Sequence, residues 1–307
     1  MKKILVIYFT QTGQARTAID ATLKPLVENK DYEIDYELIS PKTTFSYPWG
    51  YQEFMDAFPE NVFGIPMELQ PLKINTDKNY ELIFIAYQPW FLSVCRPISS
   101  FLQTPEAKKL LNGKPVITLI NCRNMWLGAQ EKMKKYLLEA NAKLVGNMVF
   151  PDHSSNLTSL VTVLAFELKG VKENFMGIFP RYGIHKKDLD AASSIGSEIK
   201  NCIEKNDYAP LQPKIVAANL NFLRANIMIM EGRGRAMFPL YANYIRKKGD
   251  SGNPARKTRV RIFGIVLPTA ILLLSPIITI VARLTPLIVP GKMKREIAYY
   301  QQTGLKS

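Results

Sequence analysis

Chemistry-bearing residues are scarce in this 307-residue sequence, which holds two histidines, His153 and His185, and three cysteines, Cys95, Cys122 and Cys202. Three scattered cysteines cannot build a disulfide framework, and neither they nor the histidines recur at zinc-ligand spacing. A reduced, cytosol-facing environment with no metal site is therefore expected. Paired catalytic carboxylates and a Ser-His-Asp order are missing, which argues against glycosidase-type and serine-hydrolase-type chemistry. The apolar run Ile4 to Phe9 is too short for a signal peptide, although Lys2 and Lys3 precede it. Acid is scarce toward the end: residues 211–307 hold 16 Lys and Arg but only 3 Asp and Glu, whereas residues 1–210 are balanced at 24 and 23.

That asymmetry divides the chain into a near-neutral domain, 1–210, and a basic extension, 211–307. The first part is long enough to bury a full core. Its strand candidates are short, continuous apolar runs over 3–10, Leu82 to Tyr87, Pro115 to Asn121 and Leu144 to Phe150. Such runs suit strands covered on both faces. The stretch 33–39 alternates, as an edge strand does. Helical spacing follows at 15–29, about 97–111, 129–141, 156–168 and 187–205, and one short helix is predicted near 50–58. Strands alternating with helices predict an α/β fold: a doubly wound, five-stranded parallel sheet.

Between the first strand and first helix stands Thr10-Gln11-Thr12-Gly13-Gln14. A helix N-terminus presents unpaired N–H groups and partial positive charge, which suits an anion. Threonine hydroxyls add donors, and Gly13 lets the backbone come close. The loop has neither the Gly-Lys-Ser/Thr ending of a Walker A loop nor the three glycines of a dinucleotide fingerprint, so one monophosphate is the expected guest. The same residues also read as an ordinary strand-to-helix turn. In a doubly wound sheet the ligand sits at the carboxyl ends of the strands. There Gln88-Pro89-Trp90-Phe91 and Asn121-Cys122-Arg123-Asn124 would join the loop.

The extension holds an uncharged run, Ile262 to Ala282, inside a longer apolar stretch, 262–290. It is long enough to span a bilayer, which takes about 20 residues. Pro268 and Pro276 interrupt it, and basic residues flank both ends. Two basic flanks favour a shallow hairpin turning near Ser275-Pro276 on the cytoplasmic face of an inner membrane; a span and a buried soluble hairpin stay open. Nucleic acid fits poorly, because the arginines border an apolar run rather than alternating with polar and stacking residues. An anionic membrane surface is the expected partner. Residues 214–246 also read as helix.

Over residues 1–205 the chain resembles the flavodoxin-like superfamily. The family's phosphate loop, Thr/Ser-x-Thr-Gly-x-Thr, matches Thr10 to Ala15 except for its last hydroxyl, for which Thr17 is a substitute candidate. The resemblance implies FMN as cofactor. It places Thr10, Gln11, Thr12, Gly13 and Gln14 at the phosphate, and Gln88, Pro89, Trp90, Phe91, Asn121, Arg123 and Asn124 around the ring. Trp90 would stack on the flavin or else serve as packing. Arg123 and Asn124 would border its pyrimidine edge or lie in a solvated loop.

More narrowly, Tyr87 to Ser93 (Tyr-Gln-Pro-Trp-Phe-Leu-Ser) and the basic, apolar extension resemble the DarA-type proteins of dialkylresorcinol and flexirubin-type pigment pathways. That resemblance implies FMN-dependent aromatisation of a dialkylcyclohexane-1,3-dione, made by a ketosynthase partner, to a 2,5-dialkylresorcinol. An alkyl-bearing substrate would need an apolar channel, for which segments 45–63 and 156–168 are candidate walls. The reaction needs a base, and histidine titrates near working pH. His153, after the fifth strand, and His185, before a helix, are the candidates, with Tyr87 and Tyr182 behind them. Both histidines also read as structural, and Cys95 and Cys122 as small buried residues. The competing reading is a membrane-tethered flavodoxin-type electron carrier or a quinone-type reductase. Oligomeric state is not legible.

Overall fold

The structure is a computed structural model that describes residues 1–305, and their side chains except those of Ser275, Ala282, Arg283, Pro286 and Leu287. Five parallel strands form its sheet: β1 (Lys2–Tyr8), β2 (Tyr32–Leu38), β3 (Leu82–Tyr87), β4 (Pro115–Cys122) and β5 (Lys143–Pro151). Their spatial order is β2-β1-β3-β4-β5, the flavodoxin-like doubly wound order. Register runs Ile4 with Leu82, Ile83 with Val116 and Ile120 with Val149. The alternating β2 is an edge strand, as expected.

Side chains alternate across the strands, so each apolar run fills two cores. Leu5, Ile7, Ile83 and Ile85 face α4 (Arg96–Leu102), α5 (Pro105–Leu111) and α6 (Leu127–Glu139). Ile4, Val6, Phe84 and Leu119 face α1 (Gln14–Val27) and α8 (Lys186–Lys205). The helix expected over 97–111 is two helices: Thr104 accepts from the Ala107 amide and Pro105 opens α5, so a new N-terminus starts inside the pattern. Likewise 50–58 resolves into α2 (Tyr51–Asp56) and α3 (Phe58–Phe63). Helix α7 (Asn156–Lys169) follows β5.

The basic extension packs onto this domain. Its helix α9 (Leu211–Ala217) and the turn after it cover the β5 edge. There the Asn147 amide donates to Gln212 Oε1 at 2.8 Å, and the Val149 amide to the Leu220 carbonyl at 2.6 Å. An open strand edge is thereby closed. Next come α10 (Ala225–Arg246), α11 (Lys257–Ile288) and α12 (Pro290–Tyr300). Phe58 of α3, Phe263 of α11 and Phe238 of α10 make a separate aromatic core, the first two stacked at 3.9 Å. Beside it Arg256, with no exposed surface, donates to Glu60 Oε1 and Oε2 at 2.7 and 2.9 Å and to Asp56 Oδ1 at 2.6 Å.

No turn interrupts α11 at Ser275-Pro276; the helix continues through Pro268 and Pro276, and the chain bends only at Val289–Pro290. Each proline removes one backbone bond, whereas Val260, Phe263 and Ile278 bury their side chains and hold the axis. Among the described residues no helix is long and apolar enough to cross a membrane. The opposite face of α11 is open, with Ile265, Leu273 and Ile280 each 60–65% exposed.

Candidate cofactor site

The crevice between β1 and β3 is where the strand order reverses, and the loop after β1 lies at its mouth. Gly13 caps α1 with φ +89°, a left-handed conformation that favours glycine, and a Cβ there would meet nothing within 4 Å. Thr10 Oγ1 accepts from the Gly13 amide at 2.9 Å, and Gln11 Nε2 donates to the Ser46 carbonyl at 2.7 Å. Among the described residues, the first-turn amides of Gln14, Ala15 and Arg16 have no acceptor. Thr17 does not take over the missing threonine's role: its hydroxyl points back to the Gly13 carbonyl at 3.4 Å. Ala15 itself is fully buried. Gly183, φ +126°, closes over the loop; a Cβ there would come within 2.8 Å of Gln14 Nε2.

After β3, Pro89–Trp90 pairs antiparallel with Ser93–Val94. The two residues at this hairpin's tip, Phe91 and Leu92, have φ +48° and +61°. A two-residue hairpin turn wants left-handed residues, normally Asn or Gly. Bulky side chains there are held by their surroundings, Phe91 against Phe54 and Phe58 and Leu92 against Gly234, while the Leu92 carbonyl lies against Gly128. Trp90 is half-buried and meets Phe9, Phe45 and Trp49 at interplanar angles of 85°, 86° and 75°. The aromatic segment 41–66 thus packs around Trp90.

After β4, Asn121 Nδ2 reaches the Gln14 carbonyl at 3.5 Å and ties this loop to the first. Asn124 Nδ2 donates to Asn156 Oδ1 at 3.2 Å, and Arg123 Nη1 to the Asn156 carbonyl at 3.0 Å. Arg123 makes no ion pair among the described residues, and burial pushes its pKa down. Three amide oxygens at this rim, Gln88 Oε1, Asn121 Oδ1 and Asn124 Oδ1, are buried without a partner, as is Trp49 Nε1. Buried polar atoms are ordinarily satisfied, so these ask for donors from a bound group. Together with the free amides of α1 and the open space at Gly13, they form a rim with both donors and acceptors to spare, which fits a flavin mononucleotide.

His153 and His185 are brought together, their rings 4.9 Å apart and edge to face. His153 Nε2 lies 2.7 Å from Asp188 Oδ2. The Asp152 amide donates to the Cys122 and Arg123 carbonyls, which fastens this cluster to the β4 loop. Tyr87 is different: its hydroxyl donates to Gln130 Oε1 at 2.8 Å inside the core, away from the rim. Burial pushes the Tyr182 hydroxyl well up and the Cys95 thiol to about 12, so that thiol is inert.

Two acids escaped the sequence reading. Glu167, the lone acid among apolar residues in α7, is pushed to about 7 by desolvation. Glu231 of α10 accepts from the Gly128 and Trp126 amides at 2.6 and 3.1 Å and caps α6; burial pushes it, too, to about 7. A carboxyl raised from its usual 4.5 stays protonated in the fold while the unfolded chain ionises. Stability is therefore fullest below the unfolded value and falls as pH rises toward 7. Glu231→Gln should flatten this decline; a Tm–pH curve between pH 4.5 and 7.5 identical to the parent's would overturn the assignment.

An apolar cavity lies beside these loops. Segments 45–63 and 156–168 do not line it; its walls are α10 and α11, enclosing about 310 Å³ with Leu92, Arg123 and Met125 at one end.

No family model matches the chain, and no curated protein does. Among solved structures it is similar to a Lactobacillus acidophilus NCFM flavoprotein in complex with FMN, at 18% identity over 48% of this chain and 93% of that one, TM-score 0.39. It is also similar to a flavodoxin from the domain Archaea, at 11% identity over 66% of this chain and 99% of that one, TM-score 0.38.

Proposed function

We propose that the protein binds FMN and acts as a flavin-dependent oxidoreductase on a lipid-like ring, aromatising a dialkylcyclohexane-1,3-dione to a 2,5-dialkylresorcinol. The observation that carries the cofactor is the set of unmet acceptors, Gln88 Oε1, Asn121 Oδ1 and Asn124 Oδ1, on the same rim as the free amides at the 10–14 loop. Bound FMN would supply the hydride acceptor for a substrate that loses two hydrogens on becoming aromatic. The other hydrogen leaves as a proton, and His153 has the form of an oriented base, held by Asp188 as a triad base is held by its carboxylate. Arg123 is placed to hold an enolate, the anionic form of the dione. An alkyl-bearing ring suits the apolar cavity beside these loops, which favours an enzyme over an electron carrier.

FMN titration monitored by flavin fluorescence tests the first part: saturable quenching with one flavin per chain is expected. A colourless protein that takes up no FMN would refute it. Anaerobic mixing of the loaded protein with a dialkylcyclohexane-1,3-dione should bleach the flavin and yield resorcinol; His153→Asn should slow bleaching at least a hundredfold. Rapid exchange with a reductase and no resorcinol would favour the carrier.

The open face of α11, bordered by the basic charge of the extension, suits peripheral attachment to an anionic bilayer. Leu272→Asp together with Leu273→Asp should weaken binding to phosphatidylglycerol vesicles at least tenfold in flotation, since both side chains are 59–65% exposed. Equal flotation of parent and variant would remove the membrane from the account.

A further inference from the structure

We infer that the cavity between α10 and α11 is a binding site for a single-chain amphiphile with an anionic head, the head at Arg123 and the chain running along α11. Its volume, about 310 Å³, is that of a small-ligand pocket. The walls are apolar and adaptable: Met230, Met237, Phe238, Leu267 and Ile271 among them.

Two further features point to a guest. Arg123 lines the cavity, is half-buried and forms no ion pair among the described residues, Asp152 acting on it only through its charge; its guanidinium donates to the Asn156 carbonyl and grazes Met125 Sδ at 4.0 Å. A guanidinium carries five donors, and this one satisfies a single carbonyl, so it has N–H groups left for a ligand anion. Meanwhile the chain accepts unfavourable backbone to shape the same end. Leu92 sits at φ +61°, and its side chain is admitted by Gly234, where a Cβ would lie 2.8 Å from Leu92 Cδ1. Mid-helix glycine costs about 1 kcal/mol relative to alanine, yet α10 keeps two, at 232 and 234. Strain of this kind is retained where a site depends on it. The enolate of a cyclic 1,3-dione belongs to the same ligand class; that link rests on the function proposed above, whereas the binding site does not.

The test uses the full chain without detergent and cis-parinaric acid as fluorescent probe. Saturable binding is expected, with displacement by dodecanoate at least tenfold more effective than by dodecanol. Ala270→Trp, which fills the cavity, should lower probe affinity at least tenfold, and Arg123→Leu should erase the preference for dodecanoate over dodecanol while Arg123→Lys retains part of it. Should Ala270→Trp fail to fold, a diazirine-tipped dodecanoate on the parent protein decides: adducts are expected within 225–246 and 257–278. Absence of saturable binding, adducts confined elsewhere, or equal displacement by acid and alcohol would each overturn the inference. FMN titration run in parallel separates the two readings. Probe binding without flavin binding sinks only the proposed function, and the reverse sinks only this site.

Discussion

Replacing Glu60 by alanine is expected to destabilise the fold by about 3–5 kcal/mol, as loss of one partner does in a buried ion pair. Glu60 is 1% exposed; its Oε1 accepts from Arg256 and Arg246 at 2.7 and 2.9 Å, and its Oε2 from Arg256 at 2.9 Å. Without it, Arg256 keeps Asp56 but lies in an apolar setting with a second guanidinium nearby. This ion cluster fastens α10 and α11 to α3, so the loss should loosen the extension before the sheet. Urea unfolding followed by far-ultraviolet circular dichroism measures the change. Hydrogen exchange should show 225–288 losing protection first. Removing both charges, Glu60→Leu with Arg256→Met, should cost less than the single change, because no orphaned charge stays behind. A single-variant loss below 1 kcal/mol would show the cluster to be solvated and unimportant.

The second large effect is expected from Gly13→Val. A β-branched residue at φ +89° is strained by roughly 1–2 kcal/mol. No protein atom lies within 4 Å of the added Cβ, so steric damage to the apoprotein is small. If the open space is the phosphate's, the two consequences separate. Thermal stability should fall modestly, whereas FMN affinity should fall at least a hundredfold, since the side chain occupies the cradle and displaces the first-turn amides. Riboflavin, lacking the phosphate, should lose far less. Equal losses for FMN and riboflavin would place the phosphate away from residues 10–14.

How much of this was legible beforehand depends on the range of the interactions. Four of the five strands were readable because a strand covered on both faces is continuously apolar, as Ile4 to Phe9 and Leu82 to Tyr87 are, and β2 because an edge strand alternates. The loop at 10–14 was readable because strand, hydroxyls, glycine and helix are neighbours in sequence. So was the charge division at 210, a matter of composition alone. The break at Thr104-Pro105 carried a local signal, a cap followed by proline, that helical spacing of the leucines masked.

The rest was decided by contacts far apart in the chain. Glu231 caps a helix more than a hundred residues earlier, and Arg256 meets Glu60 across 196 positions. Such pairs leave no periodicity and no motif, because each partner alone looks like an ordinary charged residue on a helix. The same holds for the uninterrupted course of α11, which packs on α10 and α2, and for the cavity, which exists only once two helices and a hairpin tip have closed around it. Local sequence, through burial and spacing, determined the sheet and the hydroxyl-bearing loop after its first strand. Tertiary packing alone decided what stands beside that loop, because close approach between distant segments is what sets burial, and burial raises the pKa of Glu231 and lowers that of Arg123.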